Sequence, residues 1–148
     1  MRKAHSDTDR ILTGGCQCGE VRYELLHASY EIYVCHCREC QKQSASAFGI
    51  SAMVKSADVR LAKGRLLRWS RPTDSGRVLA CFFCPSCGSR LWHGDKEAAA
   101  EISIKGGTFD EPLDLSNAIH LWTIRKLPGV IIPAGVRQFE TEPDWGIA

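Results

Sequence analysis

The alternation of apolar and polar positions along this chain is short-ranged and close to a period of two. Val21-Arg22-Tyr23-Glu24-Leu25 is the clearest case, with three apolar side chains on one face and two charged ones on the other. Similar short runs predict strands at Ile32–Cys35, Phe48–Val54, Val59–Leu61, Arg65–Trp69, Val78–Phe83, Arg90–His93, Glu101–Lys105 and Ala118–Thr123. Turn signals lie between them at Gly14-Gly15, Lys63-Gly64, Asp74-Ser75-Gly76, Gly106-Gly107 and Pro128-Gly129. Strands of this length and spacing predict a mainly β fold, an antiparallel sandwich or barrel-like arrangement. Helical spacing is convincing once, from about Arg38 to Ala45, and the segment after Pro133 reads as irregular.

With 148 residues, 44% of them hydrophobic, the chain can build one core. The expected organisation is a single β domain over residues 13–143, with short tails at 1–12 and 144–148. No apolar run reaches the ~18 residues that a membrane span needs. The basic N-terminus lacks the apolar stretch of a secretory signal, so a cytoplasmic location is expected. The 19 basic and 17 acidic residues are interspersed and leave a net charge of +2. That gives no basic face for phosphates, and nucleic acid is not an expected partner.

Eight cysteines change the picture. In a reducing compartment thiols stay thiols, and these fall in close pairs and triplets, which favours metal over disulfides. Cys16-Gln17-Cys18-Gly19 and Cys84-Pro85-Ser86-Cys87-Gly88 both end in Cys-Gly. In the second, proline sets the turn after the first thiolate, and glycine lets backbone N–H groups fold back toward sulfur. Four such thiolates around zinc make a closed tetrahedral site that contributes directly to folding. The opposing reading is that these are ordinary free thiols.

The middle group, Cys35-His36-Cys37-Arg38-Glu39-Cys40, has a different geometry. Cys35 ends a predicted strand and Cys37 lies two residues on, so both can share a face. Cys40 returns to that side across the first helical turn, where the helix N-terminus favours thiolates. Three protein ligands with a vacant fourth position is the arrangement of a catalytic zinc site. His36 is an alternative ligand, although in extended backbone it points away from its neighbours. Cys81 is either a core cysteine or a fourth thiolate that would close the middle site.

These residues resemble a known family. The stretches Gly14-Gly15-Cys16-Gln17-Cys18-Gly19-Glu20-Val21-Arg22-Tyr23, Cys35 to Ser44 and Phe83-Cys84-Pro85-Ser86-Cys87-Gly88-Ser89 are similar to the glutathione-dependent formaldehyde-activating enzymes, a family that includes centromere protein V. Gly107-Thr108-Phe109-Asp110 and Ile119-His120-Leu121-Trp122 fit more loosely, and the likeness runs from about Thr13 to Pro143. The resemblance implies a β-tent fold of short antiparallel sheets with one or two short helices. It implies two zinc ions per chain: a structural one on Cys16, Cys18, Cys84 and Cys87, and a second, catalytic one on Cys35, Cys37 and Cys40. The second site is the one that can be empty in the isolated protein. The implied activity is that of a carbon–sulfur lyase, condensing glutathione with formaldehyde reversibly to S-hydroxymethylglutathione. The sequence departs from the family at Ser44-Ala45-Ser46-Ala47-Phe48, which has alanine where many members carry glycine. Arg125 to Val130 also lacks the tryptophan often found after proline.

A general acid is not identifiable; Glu39, Ser44, Ser46 and His93 are candidates. Arg60, Lys63, Arg65, Arg68, Arg71 and Arg77 crowd one segment, and Arg125-Lys126 form a second basic group that can meet substrate carboxylates. The competing expectations are a non-catalytic zinc module that binds protein, and metal buffering or redox sensing by the exposed triad.

Overall fold

The computed structural model describes residues 5–7 and 9–143. Residues 1–4 and 8 of the expected N-terminal tail, and all of the 144–148 tail, lie outside the described residues. In chain order the strands are β1 (His5–Asp7), β2 (Leu12–Gly15), β3 (Arg22–Leu25), β4 (Ala28–Cys35), β5 (Gly49–Lys55), β6 (Val59–Lys63), β7 (Leu67–Pro72), β8 (Val78–Phe83), β9 (Arg90–His93), β10 (Glu101–Lys105) and β11 (Ile119–Leu121). Between β4 and β5 lies α1 (Arg38–Ser44), the α-helix among the described residues, and three 3-10 turns complete the set. The fold is mainly β, as the alternation predicts.

The chain forms two compact units. The first takes in the described residues up to Glu31 together with Ala52–Leu113. Within it β2, β3 and β6 make a small antiparallel sheet. β7, β8, β9 and β10 run antiparallel to one another in a second sheet. Alternation on β3 is strict: Tyr23 and Leu25 are fully buried, while Arg22 and Glu24, which alternate with them, are only half-buried. The Tyr23 ring stands edge-on to Trp92 and Phe109, with centroids 6.2 and 5.9 Å away. Its hydroxyl meets Thr108 Oγ1 at 2.8 Å, so the one polar atom that Tyr23 brings into this core is satisfied. A register shift between Phe82 and Phe83 bends the end of β8 where it runs into Cys84.

The second unit takes in Ile32–Ser51 and the described residues from Asp114 onward. Here Tyr33, Val34 and Cys35 of β4 pair with Ile119, His120 and Leu121 of β11 in parallel. This pairing adds a parallel element to the antiparallel sheets that the sequence predicts. A long connection separates β4 from β11, so no hairpin fixes their relative direction. β11 is also shorter than the alternation suggests. Trp122 leaves the strand in the left-handed region at φ 57°, and Thr123–Arg125 continue as a 3-10 turn.

Helix α1 ends on Ala45, which sits in the left-handed region at φ 49° and donates its N–H back to the Lys42 carbonyl at 3.2 Å. That conformation costs a residue with a Cβ roughly 1–2 kcal/mol. It is the position type where helices usually place glycine. Ala45→Gly is therefore expected to stabilise the protein by about 1 kcal/mol and raise its melting temperature by a few degrees. Thermal melts followed by circular dichroism check this; an unchanged or lowered midpoint contradicts it.

Candidate metal centres

The first cysteine group is assembled by two turns of the same design. Cys16 N–H donates to the Val21 carbonyl at 3.1 Å and Gly19 N–H to the Cys16 carbonyl at 3.2 Å. Likewise Cys84 N–H donates to the Ser89 carbonyl at 2.9 Å and Gly88 N–H to the Cys84 carbonyl at 3.0 Å. Gly19 and Gly88 both take left-handed φ values, 81° and 77°, which is what a residue with a side chain resists. Both turns thus fold their N–H groups back over sulfur. The Val21 N–H lies 3.2 Å from Cys16 Sγ.

The four sulfurs of Cys16, Cys18, Cys84 and Cys87 all lie within 4.8 Å of one another. Zinc–sulfur bonds of ~2.3 Å at tetrahedral angles separate sulfurs by ~3.8 Å. Cys16 to Cys18 is 3.5 Å and Cys18 to Cys84 is 3.8 Å, so the cluster has the dimensions of a tetrahedral thiolate site. Cys16 and Cys84 are buried in the hydrophobic core, whereas Cys18 and Cys87 are exposed. Burial works to raise the Cys16 thiol, but the Val21 N–H and neighbouring sulfurs bring it below its ordinary value. Ser89, through its hydroxyl at 3.2 Å and its N–H, lowers Cys87 to about 5. Cys18 goes the other way: although the Glu20 backbone hydrogen bond lowers it, burial and the neighbouring sulfurs push it up to about 12, so proton-bearing and charged sulfurs share the cluster.

The second group is Cys35, Cys37 and Cys40, again with sulfurs within 4.8 Å of one another. Cys35 closes β4, and Cys37 is the N-cap of α1, its sulfur accepting the Cys40 N–H at 3.3 Å. One sulfur thereby caps the helix that carries the next. All three side chains are partly exposed, unlike Cys16 and Cys84. The Cys37 and Cys40 sulfurs push the Cys35 thiol well above its ordinary range, whereas hydrogen bonds from Cys35 and Cys40 lower Cys37 to about 2. Three sulfurs this close cannot all carry charge unless a cation sits among them. Gly49 keeps room beside them: a Cβ there would lie 3.1 Å from Cys40 Cβ and 3.4 Å from its sulfur. The donor set and the space fit a metal ion.

His36 is not in this group of sulfurs. It is fully buried, its Nε2 is 2.9 Å from His120 Nδ1, and the two rings stack at 5.2 Å. Burial, then the charges of His120 and Lys126, lower His36 to about 4, so it is neutral at physiological pH. Gln41 completes the support. Its buried amide donates to the carbonyls of His36 at 2.8 Å and Arg125 at 3.0 Å. Neither His120 nor Gln41 stands out as functional in sequence, although a histidine between Ile119 and Leu121 on an apolar strand is a usable signal. Gln41→Leu leaves both carbonyls without this donor, and each buried unsatisfied group costs ~1–3 kcal/mol. A loss of about 2 kcal/mol in urea unfolding is expected; no shift in the midpoint would contradict this role.

Other sequence candidates fall elsewhere. Ser44 Oγ donates to the Cys40 carbonyl at 2.7 Å and is occupied in ending the helix. Glu39 and Ser46 are exposed. Cys81 is fully buried on β8 and belongs to neither sulfur group. Arg60 pairs with Glu24 and Arg68 with Asp95, so these two cations are engaged in surface ion pairs. No helix among the described residues is long and apolar enough to cross a membrane.

A mainly β chain carrying two cysteine groups that can each hold a metal ion, one of four sulfurs and one of three, is the class that fold and site define. Residues 11–125 match the family described as "Glutathione-dependent formaldehyde-activating enzyme", and the chain belongs to that family. A search of curated proteins gives no match. Among solved structures the chain is similar to a Rhodobacter sphaeroides protein, a structural-genomics target, at 22% identity and a TM-score of 0.51. The likeness covers 86% of this chain and 99% of that one, and it bears on the fold.

Proposed function

We propose that this protein is a zinc-dependent carbon–sulfur lyase acting on a thiol–aldehyde adduct, S-hydroxymethylglutathione being the reference substrate. Cys16, Cys18, Cys84 and Cys87 hold a structural zinc, and Cys35, Cys37 and Cys40 hold a second. The observation that carries this reading is the difference between the groups: four sulfurs complete a tetrahedron, and three leave a corner for an outside ligand. Zinc bound by the triad supplies stabilisation of a substrate thiol as its thiolate near neutral pH. In the synthetic direction the glutathione sulfur bonds to the formaldehyde carbon, the carbonyl π bond opens, and the thiol proton ends on oxygen. The reverse direction breaks the same bond. His36 and Gln41 fix the strand-to-helix turn that presents the three sulfurs. The free thiols and this chemistry suit a reducing, cytoplasmic setting.

The test is a titration of glutathione into protein whose zinc has been replaced by cobalt. A change in the thiolate-to-cobalt charge-transfer band is expected, together with zinc-dependent consumption of formaldehyde. A band unmoved by glutathione and by smaller thiols would remove the enzymatic reading.

A further inference from the structure

The face of β7–β10 that carries Cys81 is not used by either sulfur group. Register places Trp69 opposite Cys81, Cys81 opposite His93, and His93 opposite Ser103, so these four side chains form one row across four strands. Arg71 is two residues from Trp69 and Lys105 two from Ser103, which sets both on the same face. Arg90 joins them: its Nη1 is 2.8 Å from His93 Nε2 and its guanidinium lies 5.9 Å from the centre of the Trp69 ring. The charges of Arg71, Arg90 and Lys105 all act on both Cys81 and His93.

The hydrogen bond fixes the tautomer. A guanidinium only donates, so His93 Nε2 accepts and the ring proton is on Nδ1. Burial, then the three cations, hold His93 down at about 2, and burial raises the Cys81 thiol. The two groups at the centre are therefore uncharged and do not neutralise Arg71 or Arg90. Glu101 shares the face by alternation but stands at the far end of β10 from Lys105. Trp69 is 52% exposed, so the row opens to solvent along β7.

We infer that this face is a carboxylate-binding subsite, with Arg71 and Arg90 as its cationic contacts and Trp69 as its open rim, while Lys105 is buried behind them. Arg90 is already oriented to grip an anion. Its contacts with the Trp69 ring and the imidazole hold the guanidinium in place, which lowers the ordering cost of binding. The identification of the ligand as a carboxylate of glutathione rests on the function proposed above.

The experiment is calorimetric titration of the zinc-loaded full-length protein with S-methylglutathione, whose sulfur cannot become a thiolate. Its diethyl ester, with both carboxylates masked, is the second probe. S-methylglutathione is expected to bind, and the ester roughly tenfold more weakly, the effect of one lost charged hydrogen bond. Arg90→Gln and Arg71→Gln should each weaken S-methylglutathione by about that factor and leave the ester unchanged. Arg68→Gln, on the same strand as Arg71 but the opposite face, should leave both unchanged. Should Arg90→Gln fail to fold by circular dichroism, Arg71→Gln on its edge position decides. Absence of S-methylglutathione binding, or equal binding by wild type and both variants, overturns the subsite. The cobalt band separates the two proposals. A band response to thiols with arginine-insensitive binding sinks only the subsite. Arginine-dependent binding without a band response sinks only the enzymatic reading.

Discussion

Serine in place of Cys84 is expected to leave a chain that does not fold, even with zinc in excess. Cys84 is fully buried and packs within the same core as Tyr23, Leu91 and Ile104. Its sulfur lies 3.8 Å from that of Cys18, a residue 66 positions earlier, so the proposed metal clips two distant turns together. Apparent binding energies of structural zinc reach ~10–16 kcal/mol, and they count as folding energy because the unfolded chain has no preformed site. A domain of this size has a net stability of only ~5–15 kcal/mol. A serine hydroxyl is a poor zinc ligand, and losing a quarter of the donor set removes enough of that energy to unfold the chain. Elemental analysis and thermal melts read the outcome together. Cys81→Ala, a buried cysteine in neither sulfur group, is the comparison: metal content unchanged, stability lower by about 1 kcal/mol. A Cys84→Ser protein that melts like the wild type would show that the four-sulfur cluster holds no stabilising metal.

Strands are legible in the sequence where burial alternates, as it does along β3 and in the second halves of β4 and β5, and turns with Gly, Pro or Asp separate several of the runs. The β7–β8 hairpin shows this well. Thr73 N–H donates to the Arg77 carbonyl at 2.8 Å, closing the loop that Asp74-Ser75-Gly76 announces. What escapes the pattern has local causes. Gly14-Gly15 reads as a turn, yet both residues lie in β2 paired with Tyr23 and Arg22. Glycine is there for proximity, since a Cβ on Gly14 would lie 2.3 Å from the Tyr23 hydroxyl oxygen. The parallel pairing of β11 depends on a partner far back in the chain, which no window of neighbouring residues contains.

The cysteine groups are legible for another reason. Each pair or triplet is local, so spacing alone constrains where its sulfurs point. Bringing Cys16 and Cys18 to Cys84 and Cys87 is a tertiary event, and only the repeated Cys-Gly ending announces it. The support of the triad is not legible. In sequence His36 reads as an alternative ligand, and its stacking partner His120 is 84 residues away. The row of Trp69, Cys81, His93 and Ser103 exists only once four strands are in register. The sequence signal there is a cluster of arginines over residues 60–77. Of that cluster the structure puts Arg71 in the row and Arg60 and Arg68 in surface ion pairs.

Cys35→Ala is expected to separate fold from chemistry. Cys35 closes β4 at a partly exposed position, and neither Cys37 nor Cys40 belongs to the buried core around Tyr23 and Trp92. Removing it leaves two thiolates, too few to keep zinc against solvent, while the four-sulfur cluster is untouched. The proposed metal content drops from two to one, and the melting temperature shifts little. Loss of a Lewis acid worth several kcal/mol to a developing charge corresponds to a fall in kcat/KM of ~10³ or more. The same reasoning applies to Cys40, whose sulfur depends on the space left by Gly49. A methyl at Gly49 would press on Cys40 Cβ without deleting a ligand, so Gly49→Ala should weaken the second metal and lower activity by less than Cys35→Ala does. This ordering, with four-sulfur mutants unfolded, triad mutants folded but inactive and Gly49→Ala in between, follows from burial and donor number. If Cys35→Ala retained wild-type turnover, the open corner of the three-sulfur group would have no part in the reaction.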